Sequence, residues 1–210
     1  MSARPPLAAR AAWQAWRWTA AAAALARDGR AFLPRALAVE AAAVGRIAER
    51  RELFRAAGTG KLRWLAGSVV GGDWDLAATL TEDHPAHRSF AARFFAGAPW
   101  EETEYRRHVE RDVAAGVQRI GCRDVGDVAR KFAGFDRLWE VVGTAAYRPG
   151  GDGGPYRPWE EVLVGRARDG GLVLVDGRHR LILAHLKRAR LPVFLVLRHP
   201  AAPRGAQRSR

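Results

Sequence analysis

Apolar positions along this chain follow two periods, and the changes between them outline its elements. Residues 7–27, LAARAAWQAWRWTAAAAALAR, contain no Gly or Pro, and Trp13, Trp16, Ala20 and Ala24 recur at spacings of three and four. That pattern predicts a helix with a tryptophan face. A second helix is predicted from Pro34 to Ala57, with Pro34 in its first turn and Leu37, Val44, Ile47 and Phe54 as its stripe. The two together read as a helical hairpin.

Glycines then punctuate the chain, and two short strand-like pieces are predicted, Lys61–Leu65 and Ser68–Val70. Two helical segments follow, one on each side of Gly97 and Pro99. Another helix begins after Asp124, a suitable N-cap, with Val128, Phe132, Phe135, Leu138, Trp139 and Val142 at helical spacing. RPGGDGGPYRP, residues 148–158, is a loop by composition.

After that loop the period becomes that of strands. A strand from Glu161 to Arg166, an Asp169-Gly170 turn and a strand from Leu172 to Val175 make a hairpin. A helix from Arg178 to Ala189 and a strand from Pro192 to Arg198 complete the series, and the last ten residues read as a frayed tail. The predicted fold class is α+β, a small mixed sheet with flanking helices. The expected division is a helical N-terminal extension over 1–57, a mixed domain over 58–200 with a helical insertion at about 84–134, and a tail over 201–210.

Charge is unevenly distributed. The formal net charge is +13. Residues 1–63 carry +8 and residues 178–210 carry +9, while the middle is at −4. Basic ends suit a polyanion, nucleic acid included. The single cysteine, Cys122, excludes an internal disulfide framework or a cysteine-rich zinc site and suits a reducing cytoplasm. No stretch approaches the length of apolar residues that spans a bilayer.

The richest chemistry lies in LVLVDGRHRLILAHLKRAR, residues 172–190. A strand ends at Asp176, Gly177 allows close backbone approach, and Arg178, His179 and Arg180 open a helix. A helix N-terminus presents unpaired N–H groups and partial positive charge, and arginine grips phosphate in bidentate fashion. Asp176 is placed either to cap the helix or to hold a metal ion. The alternative reading of the motif is a plain capped helix with solvated arginines.

The order helix FDRLWEVVGTAAYRP, strand VLVGRARDG, strand LVLVDGRHR, helix LILAHLKRAR, strand LPVFLVLRH resembles the ParB/sulfiredoxin superfamily. Within it the likeness is to stand-alone ParB-like proteins with an Asp-Gly-x-His-Arg motif. It covers residues 135–199, extends back to GSVVGGDWDL, and leaves 1–57 uncovered. The superfamily includes partition proteins that bind CTP and DNA, sulfiredoxins that use ATP on oxidised peroxiredoxin, and free-serine kinases. The resemblance implies an α+β domain in which Gly177, Arg178, His179 and Arg180 contact nucleotide phosphates. Asp176 matches the Asp of the kinases' Asp-Gly-His-His-Arg motif, with Arg178 in place of its first His.

Two departures narrow the choice. Arg178 occupies the position of the sulfiredoxin cysteine, which argues against sulfinic acid reduction. Only about ten residues follow the last strand, whereas partition proteins place a helix-turn-helix domain after this one. The kinase-like branch fits best: an ATP- and Mg²⁺-dependent phosphotransferase acting on a small hydroxylated substrate in the cytoplasm. Phosphoryl transfer needs a carboxylate to orient the acceptor and a cationic clamp. Asp73 and Asp75 of GGDWD are the expected base and metal ligand, and capping of a local turn is the other reading of this pair. Glu160, Glu161 and Glu140 are reserves, and Arg198-His199 is a further cleft candidate. Asp83, His84 and His87 have the residue types of a zinc site but lack a third well-spaced ligand, and His185 reads as a partnered core histidine. The alternative function is a non-catalytic, nucleotide-responsive protein that binds DNA or another polyanion.

Overall fold

The computed structural model describes residues 7–29, 31–58, 65–144, 147 and 161–203. Its described residues form a mixed, open seven-stranded sheet and six α-helices. Helix α1 (Leu7–Asp28) comes first, then strands β1 (Arg35–Glu40) and β2 (Arg46–Ile47) and helix α2 (Arg50–Ala57). Strands β3 (Ser68–Val69) and β4 (Thr79–Leu80) lead into helices α3 (Pro85–Ala96), α4 (Glu104–Ala114) and α5 (Val125–Val141). Strands β5 (Leu163–Arg166) and β6 (Leu172–Asp176), helix α6 (Arg178–Leu186) and strand β7 (Arg190–Arg198) follow. The strand order is β1-β7-β5-β6-β2-β4, with β3 also on β7.

The helix expected from Pro34 to Ala57 is corrected. Its first part is sheet: β1 pairs antiparallel with β7 from Arg35↔Leu195 to Glu40↔Arg190, and β2 pairs parallel with β6. Leu37 and Val39 pack on the core while Ala36 and Ala38 are exposed, which is the alternation of a half-buried strand. Alanine's helix preference amounts to a few tenths of a kcal/mol per residue, whereas an unpaired β7 edge would leave a row of backbone N–H and C=O groups unsatisfied. Apart from a 3-10 turn at Ala41–Ala43, Arg50–Ala57 is the part that stays helical, capped by the Glu49 side chain on the Arg51 N–H and ended by left-handed Gly58.

The two faces of the sheet carry separate cores. Val162, Val164, Leu174, Leu191, Val193 and Leu195 face one, together with α3 to α6. Leu163, Val173, Val175, Phe194 and Val196 face the other, with Trp74, Leu53 and the tryptophan stripe of α1. Trp13, on the predicted tryptophan face of α1, rests on Phe194 at 4.2 Å between ring centroids. Helix α5 starts where Asp124 accepts a hydrogen bond from the Asp127 N–H, also as predicted. Phe90, Trp100, Tyr105, Phe132 and Phe135 from α3 to α5 share one core with α6 and the strands. Leu181, Ile182, Leu183 and Ala184 of α6 are buried in succession, each large aliphatic contributing about 1.5–3 kcal/mol. Helix α6 therefore cannot turn without breaking that packing, and its first residues are held rigidly. It ends three residues short of the predicted Ala189, because Arg188 takes a left-handed conformation (φ 51°) that starts β7 at Arg190. No helix is long and apolar enough to cross a membrane among the described residues. Most of the predicted strand Lys61–Leu65, the 148–158 loop and Glu160 lie outside the described residues.

Candidate functional site

Strand β6 delivers its chain to the cleft at Asp176, and Gly177 makes the turn into α6 with φ 87° and ψ 27°. A side chain here would be strained, and its Cβ would stand 2.9 Å from the Val162 Cα. Among the described residues no side chain caps α6, and its first turn, whose N–H groups have no partner within a helix, borders the neighbouring space.

That space is a cleft of about 810 Å³. Besides Asp176 to Arg180, its walls come from the starts of α2 and α3, from α4 and α5, from Arg119 and from Tyr147. Arg50, Arg119, Lys131, Arg178 and Arg180 line it, against Asp176 as the one carboxylate among the described lining residues. Asp176 accepts from Arg50 at 2.8 Å. Arg180 stands 3.8 Å from Glu161, whose carboxylate is buried behind the turn. Arg178 has no carboxylate in ion-pair range among the described residues; its Nη1 lies 2.8 Å from His84 Nε2. Burial, with Arg50 and Arg119 nearby, pulls its guanidinium below the ordinary value.

Two histidines of this cleft, His84 and His179, are neutral donors and acceptors. His179 Nε2 is 2.8 Å from the Tyr105 hydroxyl, and its ring packs on Phe135 at 4.5 Å and on Phe90 at 5.9 Å. Burial and then the charges of Arg178 and Lys131 push it well below the ordinary imidazole range, although one edge stays accessible. Burial, Arg178 and Arg88 lower His84 to about 4. Burial drives Tyr105 up to about 12, so its hydroxyl keeps its proton.

Comparison with protein-family models, with curated proteins and with solved structures gives no match.

Asp73 and Asp75 do not join this cleft, a correction to the sequence reading. The buried Asp75 carboxylate accepts from the Arg168 N–H at 2.8 Å and from its guanidinium at 2.9 Å, and exposed Asp73 takes the same guanidinium at 2.9 Å. Arg168 sits in the β5–β6 turn, at the end of β6 away from Asp176, about 13 Å by strand rise. The pair pins that turn, with an arginine where a metal ion would have to go. Arg198-His199 also misses the cleft: His199 packs near Trp74, and its Nδ1 accepts from the Ala201 N–H. Glu140, a reserve carboxylate, is exposed on α5 and does not line the cleft. His84 and His87 turn to different partners, and among the described residues no group of three metal-ligating side chains assembles. His87 Nε2 meets His185 Nδ1 at 3.3 Å, and Glu82 approaches the other nitrogen of His185 at 3.8 Å. Cys122 is buried, and its thiol is raised by that burial.

Sequence reasoning missed Arg50, Tyr105, Arg119 and Lys131, which four separate segments bring to the cleft. No local motif marks them. Their only trace is an excess of cations over the whole chain.

Proposed function

We propose that this protein binds the polyphosphate of a nucleotide in the cleft beside Gly177, in the manner that its resemblance to ParB/sulfiredoxin-like domains implies. The observation that carries this reading is a wall of five cations against one carboxylate among the described lining residues, around the start of α6. Such a wall focuses positive potential, and about 810 Å³ lies within the range of pockets that enclose small ligands and cofactors. Arginine forks and free N–H groups match the oxygens of a phosphate chain. ATP therefore fits the donor set. Mg²⁺ does not fit Asp73 and Asp75, which are already neutralised by Arg168. In the cleft it would travel with the phosphates, and Asp176 would serve it only by giving up its 2.8 Å contact with Arg50.

Thermal melting with ATP, CTP, GTP and ADP tests this reading. A ligand at a hundred times its Kd stabilises by about 2.7 kcal/mol, a rise of several degrees in Tm. The rise is expected for at least one nucleotide, is lost in Arg178→Ala and Arg180→Ala, and survives in Asp73→Asn. No rise with any nucleotide at millimolar concentration overturns the reading.

Phosphoryl transfer to a small hydroxylated acceptor is a second reading, favoured by the position of Asp176 next to the turn. It requires nucleotide turnover that Asp176→Asn abolishes while binding persists. Binding without turnover, joined to salt-sensitive affinity for duplex DNA, selects the non-catalytic alternative.

A further inference from the structure

The contact between His84 and Arg178 is chemically incomplete. His84 is the N-cap of α3, and its Nδ1 accepts the Ala86 N–H at 3.1 Å. Its Nε2 lies 2.8 Å from Arg178 Nη1. A neutral imidazole has one N–H and one lone pair, and a guanidinium only donates. The ring cannot accept from both. Ala86 is fully buried, and its N–H is fixed by the first turn of α3, whereas the Arg178 fork can rotate. The lone pair therefore belongs to Nδ1 and the proton to Nε2, so an imidazole N–H faces a guanidinium N–H. Two donors directed at each other at the wall of a cationic cleft call for an acceptor that takes both.

We propose that His84 is a phosphate ligand: its Nε2–H and the Arg178 guanidinium converge on one oxygen of the bound polyphosphate, so the anion seat is built from the starts of two helices, α3 and α6. The proposal rests on the cleft reading above and assigns to it a residue from outside the Asp-Gly-Arg-His-Arg turn. Pro85 at the first position of α3 has no N–H to offer, so the side chain of the capping residue supplies the donor there instead. Among the described residues no carboxylate lies in ion-pair range of Arg178, so none there competes with the ligand for its guanidinium. A neutral donor beside it adds a hydrogen bond without a second cation to repel it.

His84→Asn separates the two roles of the residue. Asparagine is among the best N-caps and suits the extended backbone found here (φ −69°, ψ 131°), so α3 and the melting temperature are retained. The Nε2–H arm is lost, and affinity for ATP and for pyrophosphate, measured by titration calorimetry, falls about ten- to hundredfold, the usual effect of losing a hydrogen bond to a charged group. Unchanged affinity in His84→Asn, with wild-type binding intact and lost in Arg178→Ala, overturns the assignment and leaves the cleft reading standing. No phosphate binding by the wild type overturns both. Nitrogen-15 NMR of the imidazole rings in the wild-type protein gives an independent check. The His84 proton is expected on Nε2, and a proton on Nδ1 sinks the inference whatever the affinities.

Discussion

The Tyr105 hydroxyl and His179 Nε2 lie 2.8 Å apart, and this bond ties the start of α4 to the turn that opens α6. Tyr105 is almost fully buried and keeps its proton, so the bond joins an intact phenol to a neutral imidazole. The orientation of a ring in the middle of the Asp-Gly-Arg-His-Arg turn is thus set by a residue 74 positions away.

Tyr105→Phe tests that bond. The aromatic packing survives and one hydrogen bond is lost, for about 1 kcal/mol and a fall of about 2–4 °C in Tm. Nucleotide affinity falls with it, because His179 loses its restraint. A variant that melts and binds like wild type would show that the contact does not hold the turn.

Asp75→Asn weakens the clamp on Arg168 and leaves an arginine short of its main counter-charge, for about 2 kcal/mol of stability. Burial raises the Asp75 carboxyl, but the Arg168 hydrogen bonds outweigh this and hold it below the ordinary carboxylate value. A carboxyl lowered in the folded state stabilises above its unfolded value, near 3.9, and the contribution disappears as the pH falls through the folded one. Chemical denaturation at pH 7 reads the loss. Nucleotide binding at saturating protein stability is expected to be untouched, and a selective loss of binding would return Asp75 to the site.

Gly177→Ala costs about 1–2 kcal/mol for a left-handed alanine, and more because the new methyl would press on Val162. Moving α6 away from Val162 disturbs the proposed anion seat, so nucleotide binding is expected to fall more than stability alone accounts for. Equal stability and affinity in Gly177→Ala would mean that the turn has room which its geometry denies.

Acid weakens the fold in a window set by histidines. His84 faces Arg178, Arg88 and His87; His179 faces Arg178, Lys131, His84 and Arg180; His87 faces His185 and Glu82. Burial first, and in the main these cations, lower all three below 6.5 in the folded chain. The unfolded chain takes up protons near pH 6.5 and the folded chain does not, so stability is full above that value and falls as the pH drops toward about 4. The melting temperature is expected to decline from pH 7 to pH 5, and less so in His84→Asn. A flat or rising profile would contradict the packing of these rings.

Much of the architecture was legible without coordinates wherever local preference and tertiary need agree. The α1 tryptophan stripe, the Asp124 cap, the β5–β6 hairpin and the strand–glycine–helix sequence at Asp176 to Arg180 each follow from local spacing, because the local preference there agrees with the packing that distant residues supply. The segment 35–47 was not, since its alanines favour a helix weakly while its pairing with β7 and β6 depends on strands more than 120 positions later. Asp75 shows the same limit: its spacing suits a catalytic pair, and only the fold decides that it meets Arg168. Sequence alone determined where the Asp-Gly-Arg-His-Arg turn stands and that the chain carries surplus cations. Tertiary structure decided which of those cations share a cavity, that His84 faces Arg178 there, and that the GGDWD carboxylates do not, because charge and hydrogen-bond partners are chosen by distance in space and not along the chain.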